Sequence, residues 1–373
     1  MPSSDTTIHV AIELSTSLWL IAARLPGSDK CRMHRVAGGD TKALLTLLDD
    51  LRGRSKTKEN DVGIACCFEA GRDGFWLHRL LTANGVQTWL VEPTSILVNR
   101  RARRAKTDRL DAIGLIRILA AFLDGDRQVC SMVQVPTPEE EDAKRPSRER
   151  EHLVQERTRF ENRILALLAT QGIRDRPSLR TWDRDLAILQ TGDGRALPFH
   201  LRAELDRLRR RLVLTMELIR ELDSERAESL AAAPDGAASQ KIGALRRIRG
   251  IGENFAAVLV HEVFYRSFGN RKQLASYVGL TPMPYQSGGM DRDRRISRAG
   301  NPRARTTLVQ LAWLWLRYQP GSALATWFRE RVGVMAGRTR RIAIVALARK
   351  LLIALWRYAE AGELPEGVAV NVA

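Results

Sequence analysis

Residues 62–69 read VGIACCFE, seven uncharged positions closed by an acid, Glu69. A run of this length without polar alternation predicts a strand buried on both faces, which belongs in a sheet covered by helices on either side. Working outward, residues 8–14 (IHVAIEL) predict another strand and carry Glu13 near its end. Residues 17–24 and 31–36 follow as strands, parted by Pro26-Gly27 and short enough for hairpins. Residues 41–51 have helical spacing through Leu44, Leu45, Leu47 and Leu48. A helix at 73–83, a strand at 86–91 and a helix opening near Thr107 complete the first third. The order β-β-β-α-β-α-β-α predicts an α/β domain, a mixed sheet with helices on both faces.

Beyond it, residues 136–146 (PTPEEEDAKRP) have the composition of a linker. The pattern then turns helical. Residues 148–170 carry apolar positions at Leu153, Phe160, Ile164, Leu167 and Leu168. Leu201, Leu205, Leu208, Leu212, Thr215, Ile219 and Leu222 repeat with alternating spacings of four and three, a heptad. This helix either pairs with the upstream one inside the chain or forms a subunit interface. Residues 231–239 (AAAPDGAAS) read as a second linker. After it everything has helical character except 281–301, a predicted loop rich in Gly, Pro, Ser and Arg. The expected organisation is an α/β domain at 1–135, a helical coiled-coil linker and oligomerisation region at 136–240, and a mostly α domain at 241–373.

The chain has 373 residues, is 44 % hydrophobic and carries a net charge of +17. That composition excludes a disordered polymer. Residues 241–373 hold +14 of the excess, whereas 136–240 are near neutral. A soluble chain with such a surplus points to a polyanion partner, nucleic acid above all. Four cysteines without a Cys-x-x-Cys pair argue against a disulfide framework and a structural zinc site, and fit a reducing cytoplasm. No signal peptide and no membrane span are expected, because no apolar run reaches the ~18–20 residues a span needs. The most apolar stretch, 342–356, carries Arg349 and Lys350.

Four acids stand out in the first third. Glu13 and Glu69 close otherwise apolar runs, where a lone charge is costly to bury. Asp108 and Asp111 lie three apart in TDRLDA and share one helical face, with Thr107 able to cap the helix. Converging carboxylates are what Mg²⁺-dependent phosphodiester chemistry requires. The plainer reading of Asp108 and Asp111 is that they complement the helix dipole.

The last third holds a second group. Residues 245–263 (LRRIRGIGENFAAVLVHEV) look like a helix-hairpin-helix, with Gly250 and Gly252 in the turn and Arg246, Arg247 and Arg249 beside it. Such a hairpin turns backbone N–H groups towards a phosphate; the alternative is an ordinary tight helix turn. Arg292, Arg294, Arg295, Arg298 and Arg303 line the segment that follows. Trp313 and Trp315 read as core, and 338–341 (RTRR) as a backbone-contact patch or a solvated face.

These residues resemble a known family. Glu13 after the first strand, Phe68-Glu69-Ala70-Gly71, and AKTDRLDA at 105–112 resemble the DEDD transposases of the insertion-sequence 110/1111 type, which include the Piv invertases. The family usually has Asp where this chain has Glu13. Tyr277-Val278-Gly279-Leu280-Thr281-Pro282, Gln286-Ser287-Gly288-Gly289 and Arg295-Ile296-Ser297-Arg298-Ala299-Gly300-Asn301 resemble the IS116/IS110/IS902-type C-terminal transposase domain. The resemblance covers both ends of the chain and matches the helical middle only in type. It implies a RuvC-like N-terminal domain on an RNase H fold, with Glu13, Glu69, Asp108 and Asp111 binding Mg²⁺ or Mn²⁺. It further implies that Ser287 is a nucleophile forming a 5′-phosphoserine on double-stranded DNA. A non-coding bridge RNA as guide and a homo-oligomer, dimer to tetramer, are implied as well. Without the resemblance Ser287 reads as a turn residue. Ser297 competes with it, but its surroundings read as a cap before a helix from Pro302. Two other classes stay open: a RuvC-like nuclease or Holliday junction resolvase using the acids alone, and a non-catalytic DNA-binding protein.

Overall fold

Buried positions in the computed structural model run without a break along β1 and β4, at residues 7–12 and 64–68, as a sheet covered on both faces requires. The structure describes residues 7–55, 62–96, 107–287, 290–333 and 337–371, with the backbone alone at 284–287 and 290–294. It divides into two units, Met1–Thr137 and Pro138–Ala373.

The N-terminal unit runs β1 (Thr7–Leu14), β2 (Leu18–Arg24), β3 (Cys31–Ala37), α1 (Thr41–Ser55), β4 (Gly63–Glu69), α2 (Gly74–Ala83), β5 (Gln87–Val91), α3 (Asp108–Leu123) and β6 (Met132–Val133). The sheet order is β3-β2-β1-β4-β5-β6. β1, β2 and β3 are antiparallel neighbours, while β1, β4 and β5 are parallel. The two-residue β6, antiparallel to β5, is too short for sequence periodicity to reveal.

The two faces divide by size. Ile8, Val10, Ile12, Ile64, Cys66 and Phe68 pack with leucines of α1 and α2. The alternate positions Ala11, Ala65 and Cys67 pack with Ala112, Leu115, Ile116 and Leu119 of α3. Small residues on that face let α3 lie close to the sheet, and the Cys67 Sγ reaches the Leu115 carbonyl oxygen at 3.4 Å.

The C-terminal unit runs α4 (Pro138–Asp142), α5 (Arg145–Ala169), α6 (Trp182–Ile188), α7 (Phe199–Ala232), α8 (Ala237–Arg246), α9 (Glu253–Leu259), a π turn (Val260–Phe264), α10 (Arg271–Val278), β7 (Pro282–Ser287), β8 (Met290–Ile296), α11 (Pro302–Tyr318), α12 (Ala323–Val332) and α13 (Arg338–Ala361). Residues 138–146, expected as linker, are mostly helical. Glu139, Glu140 and Glu141 sit in the first turn of α4 and a proline opens α5, both favourable at helix starts.

α5 and α7 pack against each other in antiparallel fashion. Arg163 pairs with Glu204 at 3.0 Å near one end, and Arg150 with Asp223 at 2.8 Å near the other. Leu205, Leu208 and Leu212 of the heptad are covered within the chain by Phe160, Ile164 and Leu168 of α5 and by Trp182 and Leu186 of α6. Of the two readings of that heptad, these positions serve the pair inside the chain.

A second core gathers α8 to α13 around Leu308, Leu311, Leu347, Leu351 and Leu355. The two tryptophans of α11 part company. Trp315 is buried and its Nε1 donates to the Ser322 Oγ at 2.9 Å. Trp313, expected in the core, is 38 % exposed, with the Arg340 guanidinium 5.1 Å from its ring centre.

The predicted loop at 281–301 is instead the β7–β8 hairpin. Gly288-Gly289 between two extended runs is a hairpin signal, but Pro282 and Pro284 mask the first run. The register shifts between these prolines, as expected where proline cannot serve the ladder. Among the described residues no helix is long and apolar enough to cross a membrane.

Candidate active site

Glu13 and Glu69 lie at one end of the sheet of the N-terminal unit, and Asp108 and Asp111 open the helix α3 that covers it. Glu13 lies one step beyond the paired Ile12 and Phe68, and Glu69 is the last residue of β4, so the two acids end neighbouring parallel strands about 4.8 Å apart. Alternation places both on the face that bears Ala11, Ala65 and Cys67, under α3.

The direction of α3 brings its acids to the same end. Its C-terminal cap, Asp124, lies near enough to His9, early in β1, to act on the charge of that ring. The helix therefore runs opposite to β1, and its N-terminus lies towards Glu13. Asp111 is one turn, about 6 Å, before Leu115. Glu69 is two strand residues, about 6.6 Å, beyond Cys67, so it lies level with Asp111. Asp108 lies a further turn out and is exposed, whereas Asp111 is half-buried. Thr107 caps the helix as expected, its Oγ1 accepting from the Leu110 amide at 3.3 Å. Ala105 and Lys106 of the motif lie outside the described residues.

The donors are all carboxylate, which suits a hard divalent cation. Among the described residues no three Asp, Glu, His or Cys stand close enough together to hold one ion. The fold thus aligns the four acids at one end without closing them into a ligand set.

The C-terminal unit carries the serine. Ser287 is the last residue of β7 and pairs with Met290 in the final rung before Gly288-Gly289, which lie outside the described residues. Arg292 stands opposite Tyr285, and Arg294 follows in β8; only the backbone is described at these positions.

The hairpin is rooted by two legs that press backbone against backbone. The leg into β7 leaves α10 through Gly279 at φ +71, where a Cβ would run into the Ala299 carbonyl. The leg out of β8 passes Gly300 at φ +94, where a Cβ would run into the Tyr277 carbonyl. The Ser297 amide donates to the Thr281 oxygen at 2.8 Å and the Asn301 amide to the Tyr277 oxygen at 2.8 Å. These contacts explain why the sequence has Gly in both Val278-Gly279-Leu280 and Ala299-Gly300-Asn301. Asn301 caps α11, its Oδ1 accepting from the Ala304 amide at 3.1 Å, so the reading of this stretch as a helix cap holds. Arg298 adopts φ +57, strained for a residue with a side chain.

The basic residues differ in availability. Arg247, Arg249, Arg295 and Arg298 are exposed. Arg246 pairs with Glu253 at 3.1 Å. Arg303 is drawn inward, bonded to Glu151 and lying 3.5 Å from Glu262. Between α8 and α9, Gly250 takes φ +92 with the Tyr318 Cβ 2.7 Å from where its own Cβ would be, and Gly252 caps α9. The Arg249 amide is committed to the Ala369 oxygen at 3.0 Å, and the buried Gln319 donates to the carbonyls of Arg249 and Ala369 at 2.7 and 2.8 Å.

Sequence reasoning missed Glu262. It is 2 % exposed, and Arg148 donates to both of its oxygens at 2.8 and 3.0 Å. Burial alone would raise its pKa. Hydrogen bonds from Arg148 and Asn301, with the charges of Arg148 and Arg303, outweigh that and hold it below the ordinary carboxylate value. The available signal was an acid inside the apolar run AAVLVHEVF.

Comparison with known proteins supplies the family. A model of DEDD transposases of the IS110 type, described as Transposase, matches residues 5–171, and one described as Transposase IS116/IS110/IS902 family matches 243–326. A Sinorhizobium fredii protein named "Putative transposase y4rJ" is 47 % identical across 98 % of this chain and 94 % of its own length. The transposase for insertion sequence element IS1111A of Coxiella burnetii is 25 % identical over 79 % of this chain and 77 % of its own. That for IS1328 of Yersinia enterocolitica is 28 % identical over 63 % of this chain and 70 % of its own. Carboxylates ending adjacent strands and a glycine-rooted serine hairpin thus occur in a chain that belongs to the IS110-type insertion-sequence transposases, enzymes that transfer DNA.

Proposed function

We propose that this transposase cuts and exchanges DNA strands with Ser287 as nucleophile. The Ser287 Oγ attacks the scissile phosphorus, the bond to the 3′ oxygen breaks, and the serine proton ends on that oxygen. A 5′-phosphoserine and a free 3′ hydroxyl result. Attack by a 3′ hydroxyl of the partner strand then releases the serine. The supporting observation is the placement of Ser287 at the end of a hairpin whose root is fixed by Gly279 and Gly300. Serine is a weak nucleophile on its own and needs charge stabilisation at the phosphate. Arg292, Arg294, Arg295 and Arg298 follow in β8 and its outgoing leg and are assigned that role.

Glu13, Glu69, Asp108 and Asp111 are assigned to a divalent metal, Mg²⁺ or Mn²⁺, which when bound supplies Lewis-acid polarisation of the phosphate. The sheet order supports a RuvC-like reading of this unit: three antiparallel strands, then two parallel ones, with acids at the ends of the two central strands. The turn around Gly250 and Gly252, with Arg247 and Arg249, is assigned to helix-hairpin-helix contact with phosphates. An element-encoded bridge RNA supplies sequence choice by base pairing, as in other RNA-guided systems. The α5–α7 pair is read as a coiled coil and the unit through which copies assemble, dimer to tetramer.

The test combines the full chain with duplex carrying the element's ends, the element's non-coding RNA and Mg²⁺. A protein–DNA adduct that survives denaturant, and that Ser287→Ala abolishes, is the expected result. Cleavage without an adduct overturns the serine reading in favour of an acid-only resolvase. Binding without any strand break under any metal would leave a DNA-binding protein.

A further inference from the structure

We propose that Glu262 is a positioning residue for Ser287, clamping both legs of the β7–β8 hairpin to helix α5; this rests on the reading of Ser287 as nucleophile. The leg out of β8 is held through Asn301. Its Nδ2 donates to the Glu262 Oε2 at 2.9 Å, its Oδ1 caps α11, and its amide binds the Tyr277 carbonyl. The leg into β7 is held where it leaves α10: Tyr277, in the last turn of that helix, donates its hydroxyl to the main-chain carbonyl oxygen of Glu262 at 3.1 Å. Helix α5 closes the clamp. Arg148 grips both carboxylate oxygens, and Arg303, at the start of α11, bonds Glu151 of α5.

Stability alone does not account for this arrangement. Glu262 is buried while Arg148 is half-exposed, and a carboxylate buried in this way seldom outperforms a well-packed apolar residue of the same volume, because desolvation offsets the attraction. A forked Arg–carboxylate contact instead fixes orientation as well as distance. Orientation is what an in-line attack needs, since a displacement of about 1 Å costs roughly 100-fold in rate. The π turn that carries Glu262 fits the same reading, because such turns gather at functional sites.

Two readouts on the full chain test it. Hydrogen exchange followed by segment needs no DNA. In Glu262→Gln the Ser297 and Asn301 amides exchange about 10-fold faster or more, while the α13 amides keep wild-type rates. Wild-type exchange at Ser297 and Asn301 in the folded variant overturns the proposal. The second readout is adduct formation on an end-labelled duplex of the element's ends, with Ser287→Ala as the blank. In Glu262→Gln and Arg148→Met the rate at saturating DNA falls about 10-fold or more, and the half-saturating DNA concentration stays within about two-fold. Arg148→Lys keeps a cation on Glu262, loses the fork, and recovers part of that rate. A loss confined to the half-saturating concentration, or a lysine variant no better than methionine, overturns the positioning role. Should Glu262→Gln not fold, Arg148→Met carries the exchange measurement with the same criterion. Should the wild type form no adduct, the serine reading fails, and exchange alone then decides whether Glu262 holds the hairpin.

Discussion

The acid-bearing sheet end and the serine hairpin are held in place by opposite means. Glu13 and Glu69 are costly side chains on a tolerant backbone: the strand ladder sets their spacing whatever side chains occupy the two positions. Ser287 is an ordinary side chain on an intolerant backbone, and its hairpin depends on two glycines and one buried carboxylate. Substitution should therefore act differently in the two places, on chemistry at the sheet end and on architecture at the hairpin root.

The largest expected effect breaks the hairpin side. Gly279→Ala or Gly300→Ala places a Cβ against a carbonyl oxygen at positive φ. Each should cost about 3 kcal/mol or more, combining strain with steric overlap. Thermal unfolding should show the loss in the C-terminal unit, and strand cleavage should vanish. An alanine variant with wild-type melting would remove the contrast. Next in size is Glu69→Gln, isosteric and uncharged. Cleavage should fall about 100-fold or more, as when a transition-state charge loses its stabiliser. Melting in chelator should stay within about 2 °C of wild type, because glutamine keeps the size of the side chain and an oxygen that accepts hydrogen bonds. A clear drop in melting temperature would mean that Glu69 serves the fold and not the chemistry.

Acid should separate the two units more gently. Burial, aided by nearby arginines, holds His9, His34 and His78 of the N-terminal unit below the ordinary 6.5. His261 is the one histidine of the C-terminal unit so shifted among the described residues, again by burial. A histidine whose folded pKa lies below its unfolded value contributes stability that is full above the unfolded value and fades as pH falls through the folded one. Stability of the N-terminal unit should thus decline first below pH 6.5, by about 1 to 3 kcal/mol for the charge-assisted hydrogen bond from Arg24 to the His9 Nδ1 that protonation of the ring removes. Glu262 has the same sign at lower pH: its contribution is full above 4.5 and fades below. Segment-resolved hydrogen exchange between pH 7 and pH 4 checks the order. Equal decline in both units at pH 5.5 would contradict it.

How far the sequence could be read follows from the same physics. Strands β1 and β4 declare themselves because burial on both faces demands continuous apolar runs, and an acid at the end of such a run is conspicuous. Asp108 and Asp111 were legible through the capping threonine. The hairpin was not, since Pro282 and Pro284 suppress the strand signal that the Gly288-Gly289 turn would otherwise support. The carboxylate partners of Arg303 were illegible for another reason. A basic residue in a basic stretch carries no mark of its partner, and Glu151 lies 152 positions away. Long-range pairing of this kind leaves no local pattern. Residues 138–146 misled in the same way, because their charges read as a solvated linker while serving helix starts.

The smallest prediction sharpens that last distinction among arginines. Arg247 and Arg249 are exposed beside the Gly250 turn, whereas Arg303 is held by two carboxylates. If the exposed pair neutralises phosphates, Arg247→Ala and Arg249→Ala should each lower affinity for any duplex evenly. The salt dependence of binding should also become shallower by about one unit of slope per residue. Melting should not move for either, because an exposed arginine without a bound carboxylate adds little to the fold. Arg303→Ala should do the reverse. It leaves Glu151 and Glu262 short of a cation, so it should destabilise the C-terminal unit by about 1 to 3 kcal/mol and leave the salt slope of the folded fraction unchanged. Filter binding across a salt series, paired with thermal melts of the same preparations, separates the two kinds. An Arg303→Ala variant that melts like wild type but loses one unit of slope would move this residue back to the DNA-facing surface and sever α11 from the clamp on α5.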